Sequence, residues 1–392
     1  MGILLMNIAA FALPFAAYDN PAAYGGTSPL DLAVWAAEFV LVDGKMRALF
    51  SALFGASLLL IADRAEAAGR SATAVHYARM ATLLLFGLVH ACLIWTGDIL
   101  MLYALVGMVA FAFRRLPVDR LLVLALLLLM MQAAILGLHY QSLAALGDAA
   151  RQTGAGPADV ALWHQVLDQI GRPSPAALQR EIALHRGSWL VLTHARIAAE
   201  PGAVGIQLLF DGPETLGLML LGMAGLRTGF LAGGWQGRSY LTAASRLYAL
   251  ALPPMIVMAA ILLRQGFPPL LTTVLVDLAA MPLRWLLAAA HAALLMAWLT
   301  GPSSHLKARV AATGRAAFTN YLGTSIVMAA LFDGWGLGLY ARLDRWMLLP
   351  IVLAAWGAML VWSRPWLGRF SHGPFERAWR LSAHALLRFT HH

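Results

Sequence analysis

Apolar residues run along this chain in long blocks, and polar residues gather between them. Ten blocks approach the ~20 residues an α-helix needs to cross a bilayer. They lie at roughly 1–18, 44–62, 78–95, 98–114, 118–139, 210–227, 241–263, 270–299, 316–332 and 346–363. Segment 30–41, LDLAVWAAEFVL, is apolar but short, and is expected to lie at the membrane interface or to extend the second span. The pattern predicts an all-α, polytopic membrane helix bundle of about ten transmembrane helices, with one integral membrane domain over 1–392.

Two stretches break the rhythm. Residues 140–209 carry GAGPADVALWHQVLDQIGRPSP, whose Gly and Pro mark loops around short helices. This region reads either as a lid or acceptor-facing cap, or as a spacer. Residues 364–392 form an amphipathic tail, with Phe375, Trp379 and Leu386 set among Arg377, Arg380 and Arg388. Such a helix suits a leaflet surface with anionic headgroups. His391 and His392 are given no role.

Composition agrees with the pattern. The chain is 60% hydrophobic and 12% charged, with a mean hydropathy of +0.71. A soluble domain carries about 25% charged residues. The net charge of +9 does not indicate nucleic acid, because the basic residues fall between apolar blocks rather than in one patch. Arg64, Arg70 and Arg79, then Arg114, Arg115 and Arg120, then Arg227, Arg238 and Arg246, then Lys307, Arg309 and Arg315 occupy alternate connections. The positive-inside rule then predicts a multi-pass membrane protein with both termini cytoplasmic and 140–209 outside. The apolar start has no Lys or Arg ahead of it, so it reads as a retained span rather than a cleaved signal. Cys92 is the sole cysteine, which excludes an intramolecular disulfide and a cysteine-based zinc site. No metal site is expected.

An ionisable group at mid-bilayer costs roughly 2.5–3.5 kcal/mol and so points to function or to a partner. In GLVHACLIWTGDIL a tight turn joins two antiparallel spans. Asp98 is placed to cap the second. His90 lies about 7.5 Å below that end at 1.5 Å per residue. His90 reads as a general base with Asp98 as its orienter or as an acceptor-binding carboxylate. The plainer alternative is a cap and a histidine bonded to a neighbouring helix. Asp43, Lys45 and Arg47 head the second span. Asp43 and Arg47 are spaced to pair, and Lys45 to snorkel outward. They read as a ligand-holding cluster or a helix anchor, and Glu38 is expected on the same side.

Asp277, Arg284 and His291 recur every seven residues, nearly in line and about 10.5 Å apart, beside Pro282. They suggest a proton or anion path, an anionic-substrate slot, or three separate interhelical pairs. Asn7 and Asn320 read as interhelical glue. Asp211 and Glu214 suit a helix N-terminus. Gly217, Gly222 and Gly225 suit close helix packing. No Walker, Rossmann or zinc-protease pattern occurs.

GILLMNI, GKMRALFSALFGASL, GLVHACLIWTGDILMLYAL, LGLMLLGMAGLRTGF, GRAAFTNYLGTSIVMAALFDGWGLGLY and GPFERAWR stand in the order seen in the YeiB family, also called domain of unknown function 418. The chain resembles that family nearly end to end. Members usually carry an arginine-glycine pair before the GILL stretch. This chain opens Met1-Gly2, so a leader and that arginine are expected to be missing. The family's wider relatives resemble transmembrane acyltransferases, including the lysosomal heparan-glucosaminide acetyltransferase.

The resemblance implies a transmembrane-acyltransferase-like fold. It implies acyl-CoA as a cosubstrate rather than a tightly bound cofactor, and an extracytoplasmic sugar or lipid as acceptor. Asn7 matches a catalytic-site asparagine of the first span. The relatives' catalytic histidine follows in the next outer loop, but YDNPAAYGGTSP has none. His90 is then the substitute base, with Asp19 as a second candidate. Asn7 or Asn320 would serve the oxyanion, and Arg79, Arg114 and Arg315 the donor's phosphates. The alternative is a proton-coupled transporter of a small solute, with the Asp277–Arg284–His291 stripe as its path. A structural subunit is a third reading. The expected partners are the bilayer and a small-molecule, sugar or lipid substrate, with a homodimer allowed and no nucleic acid.

Overall fold

The computed structural model describes residues 1–389, so His391 and His392 lie outside the described residues. It contains sixteen α-helices. Seven helical stretches are long and apolar enough to cross a membrane, the first of them spanning 29–67. Of four shorter apolar helices among the described residues, those at 2–12, 100–113 and 317–332 complete the ten sequence blocks, and the one at 269–279 opens the block at 270–299.

Local signals set the first helices. α1 (Gly2–Ala12) is followed by an irregular loop that runs to Ser28. Ser28 and Asp31 form a reciprocal capping box, with Pro29 in the first turn, and start α2 (Pro29–Leu41). Segment 30–41 is thus a helix of its own. Its Trp35, Phe39 and Val40 pack with Ala251, Met255 and Leu262 of α10 (Gly237–Gln265). A turn through Gly44, at φ +69°, separates it from α3 (Lys45–Ala67). Only glycine adopts that backbone without strain, and the Arg284 side chain lies where a Cβ would stand.

α4 (Ala72–Leu93) and α5 (Leu100–Ala110) form an antiparallel pair. α6 (Val118–Arg151) and α9 (Trp189–Arg227) are longer than their apolar blocks. At 1.5 Å per residue they run about 51 and 58 Å, well past a hydrocarbon core of ~30 Å. Much of 140–209 therefore prolongs these two helices, and only α7 (Pro157–Gln169) and α8 (Pro175–His185) are short. α3 and α9 pack backbone to backbone. A Cβ on Gly222 would run into the Ala52 carbonyl, and one on Gly55 into that of Met219. Small residues allow such an approach between membrane helices.

The second half repeats the up-and-down course. α11 (Pro269–Thr273) runs through a π-turn at Val274–Ala279 into α12 (Met281–Thr300). α13 (His305–Arg315), α14 (Ala317–Phe332) and α15 (Leu348–Arg369) follow. The tail is α16 (Pro374–Phe389). It docks on protein, with Phe375 and Trp379 against Met80, Leu83, Phe86 and Phe318. Glu376 accepts from the backbone N–H groups of Phe318 (2.7 Å) and Thr319 (3.0 Å), at the start of α14. Those groups have no partner within their own helix.

Candidate functional site

The loop between α1 and α2 closes over a knot of ionisable side chains. Tyr18 Oη donates to Asp43 (2.7 Å), and Asp43 lies 3.9 Å from Arg284. Arg284 donates to the Asp277 carbonyl (2.9 Å), while the Asp277 carboxylate accepts from Tyr140 Oη (2.5 Å). Arg345, 2% exposed, pairs with Glu38 at 3.1 Å and donates to the Ala17 carbonyl. Beside them is a cavity of about 20 Å³, room for about one water. Tyr18, Asp19, Glu38, Asp43 and Arg345 supply its polar wall, and Met6 and Ala9 of α1 part of its apolar one.

Asp19 sits in the loop, outside the spanning helices. Burial pushes its carboxyl well above the usual carboxylate range. The negative charges of Asp277 and Asp43 push it further, against the pull of Arg284 and Arg345. Nε of Arg345 and Nε of Arg284 are buried without a hydrogen-bond partner. The site therefore combines a basic carboxyl, a tyrosine hydroxyl and unspent guanidinium donors.

The sequence-derived pairings change in detail. Arg47 does not meet Asp43. It pairs with Asp211 (2.9 Å) and with Glu214, whose other oxygen accepts from Trp285 (2.6 Å). The left-handed Gly44 takes Asp43 off the helix that carries Arg47. Asp211 and Glu214 lie well inside α9, not at its start. Lys45 does not snorkel. It is fully buried and donates to the Phe39 carbonyl (2.5 Å), near the C-terminal end of α2, where carbonyls favour a cation.

The Asp277–Arg284–His291 stripe is no continuous line. The π-turn separates Asp277 from α12, and Pro282 sits in the first turn of α12, where no N–H is needed. His291 bonds elsewhere, to Tyr248 (3.2 Å) and the Leu41 carbonyl (2.9 Å).

His90 Nδ1 and Asp98 lie 2.8 Å apart, and the second Asp98 oxygen accepts from the Met101 N–H (2.9 Å). Asp98 thus caps α5 and orients the imidazole together. Both residues are buried, His90 completely, and neither lines the cavity. His90 Nε2 has no partner. Asn7 is buried, and among the described residues nothing hydrogen-bonds its side chain. Asn320 ties helices together, donating to Thr313 (3.0 Å) and accepting from Trp362 (3.0 Å).

At the opposite end of the bundle, Arg79 joins Arg64, Arg70, Arg380 and His384 around a cleft of about 140 Å³. Arg114, stacked over Phe111, and Arg315, at the end of α13, are not part of it. The α7–α8 segment is clamped to the cavity end. Glu181 accepts from the Phe15 N–H (2.7 Å) and Tyr340 Oη (2.9 Å). Asp333 meets Arg196 (3.0 Å) and His185 (3.2 Å). Sequence reasoning missed Tyr18, Tyr140 and Arg345. Tyr18 stands next to Asp19 in the loop YDNPAAYGGTSP, which contains no histidine. No spacing rule links Arg345 to a glutamate 307 positions away.

Residues 226–385 match the family described as "Protein of unknown function (DUF418)". The chain is 30% identical to "Uncharacterized protein YeiB" of Escherichia coli strain K12, over 97% of this chain and 92% of that protein. It is 28% identical to "Uncharacterized protein YxaH" of Bacillus subtilis strain 168, over 97% and 90%. No solved structure matches it. The chain belongs to the YeiB-like DUF418 family and is a multi-pass membrane protein with bacterial homologues.

Proposed function

We propose that this DUF418-family member is an acyltransferase-like enzyme whose reacting centre is the cavity against α1, not the His90–Asp98 pair. The observation that supports this is Asp19, a carboxyl whose proton affinity burial raises, on a cavity wall beside an arginine with an unspent N–H. A general base needs a raised affinity for the proton and a void in which to meet its substrate. Asp19 has the raised affinity and lines a water-sized cavity that the substrate would have to widen, whereas His90 lines no part of it.

In this reading the acceptor's hydroxyl or amine enters between Glu38 and Asp43. Asp19 takes its proton as the new bond to the acyl carbon forms. Arg345 Nε, or the free amide of Asn7, donates to the carbonyl oxygen as charge develops there. The thioester C–S bond then breaks, and the leaving thiolate takes the proton from Asp19. Acyl-CoA is the donor. Its phosphates are drawn to the arginine-rich end that carries Arg79, Arg114 and Arg315. That end and both termini are cytoplasmic in the bacterial inner membrane, and the cavity faces outward toward a sugar or lipid acceptor. The α7–α8 cap, tied by Glu181 to the cavity loop, gates its entry.

The test uses purified protein with acetyl-CoA, with water as the stand-in acceptor that takes the acetyl group as acetate while the thiol is released. Acetyl-CoA at 100 times its Kd stabilises the fold by about 2.7 kcal/mol, and Asp19→Asn keeps this shift while losing release of the free thiol. Absence of any shift, or unchanged thiol release in Asp19→Asn, overturns the reading.

One observation favours a second reading, proton-coupled transport of a small solute. Asp19, Glu38, Asp43 and Asp277 face Lys45, Arg284 and Arg345 in this knot, so the acids outnumber the cations. Solute-driven proton uptake into proteoliposomes, lost in Asp277→Asn, supports that reading. Uptake that is independent of solute rules it out.

A further inference from the structure

The cleft at the arginine-rich end has a composition that neither packing nor the cavity chemistry accounts for. Arg64 of α3, Arg70 of the α3–α4 turn, Arg79 of α4 and Arg380 and His384 of α16 converge on it, and its lining contains no carboxylate. Gathering four guanidinium groups without a counter-charge is unfavourable. The Arg79 side chain stacks over Trp379 with 4.1 Å to the ring, yet its Nε is buried without an acceptor. The rest of the wall is apolar, with Ile61, Val75 and Ala383. Arg380 and His384 also line a second, more open depression with Ser371, His372 and Arg377. Basic groups therefore flank the tail helix on both sides.

We propose that this cleft binds a phosphate-bearing amphiphile, its phosphate oxygens held by Arg64, Arg70, Arg79 and Arg380 and its apolar part against Ile61, Val75 and Ala383. Guanidinium forks match phosphate oxygens two at a time, and basic pockets between membrane helices take anionic headgroups. One half of the site comes from the α3–α4 hairpin and the other from α16, so an occupant fastens the tail to the bundle. Two sources carry this chemistry, an anionic phospholipid of the surrounding leaflet and the phosphate-rich end of coenzyme A. The proposal does not rest on acyl transfer.

The experiment compares the full-length protein in phosphatidylcholine nanodiscs with nanodiscs containing phosphatidylglycerol, and separately with coenzyme A lacking an acyl group. The readouts are the melting temperature and hydrogen exchange across 374–389. An occupant at tens of times its Kd raises the melting temperature by about 2–4 °C and slows exchange in the tail. A response to phosphatidylglycerol alone identifies the lipid as the source, and a response to coenzyme A alone the nucleotide. Either supports the site. The double variant Arg64→Gln/Arg70→Gln changes two exposed side chains and abolishes the response. The control Arg238→Gln/Arg246→Gln removes the same charge from another depression on that end and retains it. No response to either probe, or an equal response in both double variants, overturns the proposal. Lipid binding with no coenzyme A effect leaves this site standing even where acyl transfer fails.

Discussion

The His90–Asp98 pair and the Asp19 cavity both set carboxylates inside an apolar bundle, but they do so differently. In the pair every strong interaction is spent but one. Asp98 is shared between an imidazole and a helix end, and His90 is completely buried. In the cavity the carboxylates outnumber their cations and one wall is open to water-sized space. A tidy pair seen in a sequence motif can have nearly every polar atom bonded, while residues that no motif links gather unbalanced charge beside a water-sized void.

Four measurements break or sharpen that contrast. The largest effect is expected at the cavity: Asp19→Asn lowers acyl transfer about 10²–10⁴-fold, the range lost with a general base. A turnover assay checks it, and an effect below tenfold removes Asp19 from the chemistry. At the pair, His90→Phe leaves Asp98 buried without its imidazole and lowers stability by about 3–5 kcal/mol. Folded His90→Phe protein keeps its turnover per molecule. A hundredfold loss in that fraction would restore His90 as the base.

Stability against pH distinguishes the two sites next. Below an ordinary carboxylate pKa of about 4, Asp19 is protonated in folded and unfolded chains alike. Above it the unfolded chain releases this proton first, so stability falls as pH rises until the raised folded value is passed, by up to about 1.4 kcal/mol per unit. Asp19→Asn removes that slope, as chemical denaturation at stepped pH will show, and an unchanged slope contradicts the raised affinity. The smallest effect is at the tail. Glu376→Gln loses a charge-assisted cap on α14 and costs about 1 kcal/mol. Faster proteolysis of the tail is the expected sign.

Much of the helix order was legible, because the bilayer demands apolar runs that a sequence displays directly. The ends were less so. α6 and α9 continue past their apolar blocks because alanine- and leucine-rich flanks still favour helix once water rather than lipid surrounds them. Side-chain pairings were legible only within one regular helix or one short turn, as with His90 and Asp98. Gly44 broke the expected Asp43–Arg47 pair, and the π-turn broke the seven-residue stripe. Spacing arguments assume an uninterrupted helix, and both interruptions lie beside the cavity. Arg345 and Glu38 illustrate the remainder: their meeting depends on where the tenth span docks, which periodicity does not encode.

The clasp of Glu376 on α14 bears on biosynthesis. Fifty-eight positions separate this carboxylate from the Phe318 amide it satisfies, so α14 enters the membrane before its partner has been translated. Until residues 374–379 emerge, the head of α14 keeps bare N–H groups and the aromatic seat for Trp379 stays empty. A nascent chain halted near position 373 is therefore expected to be inserted but loose.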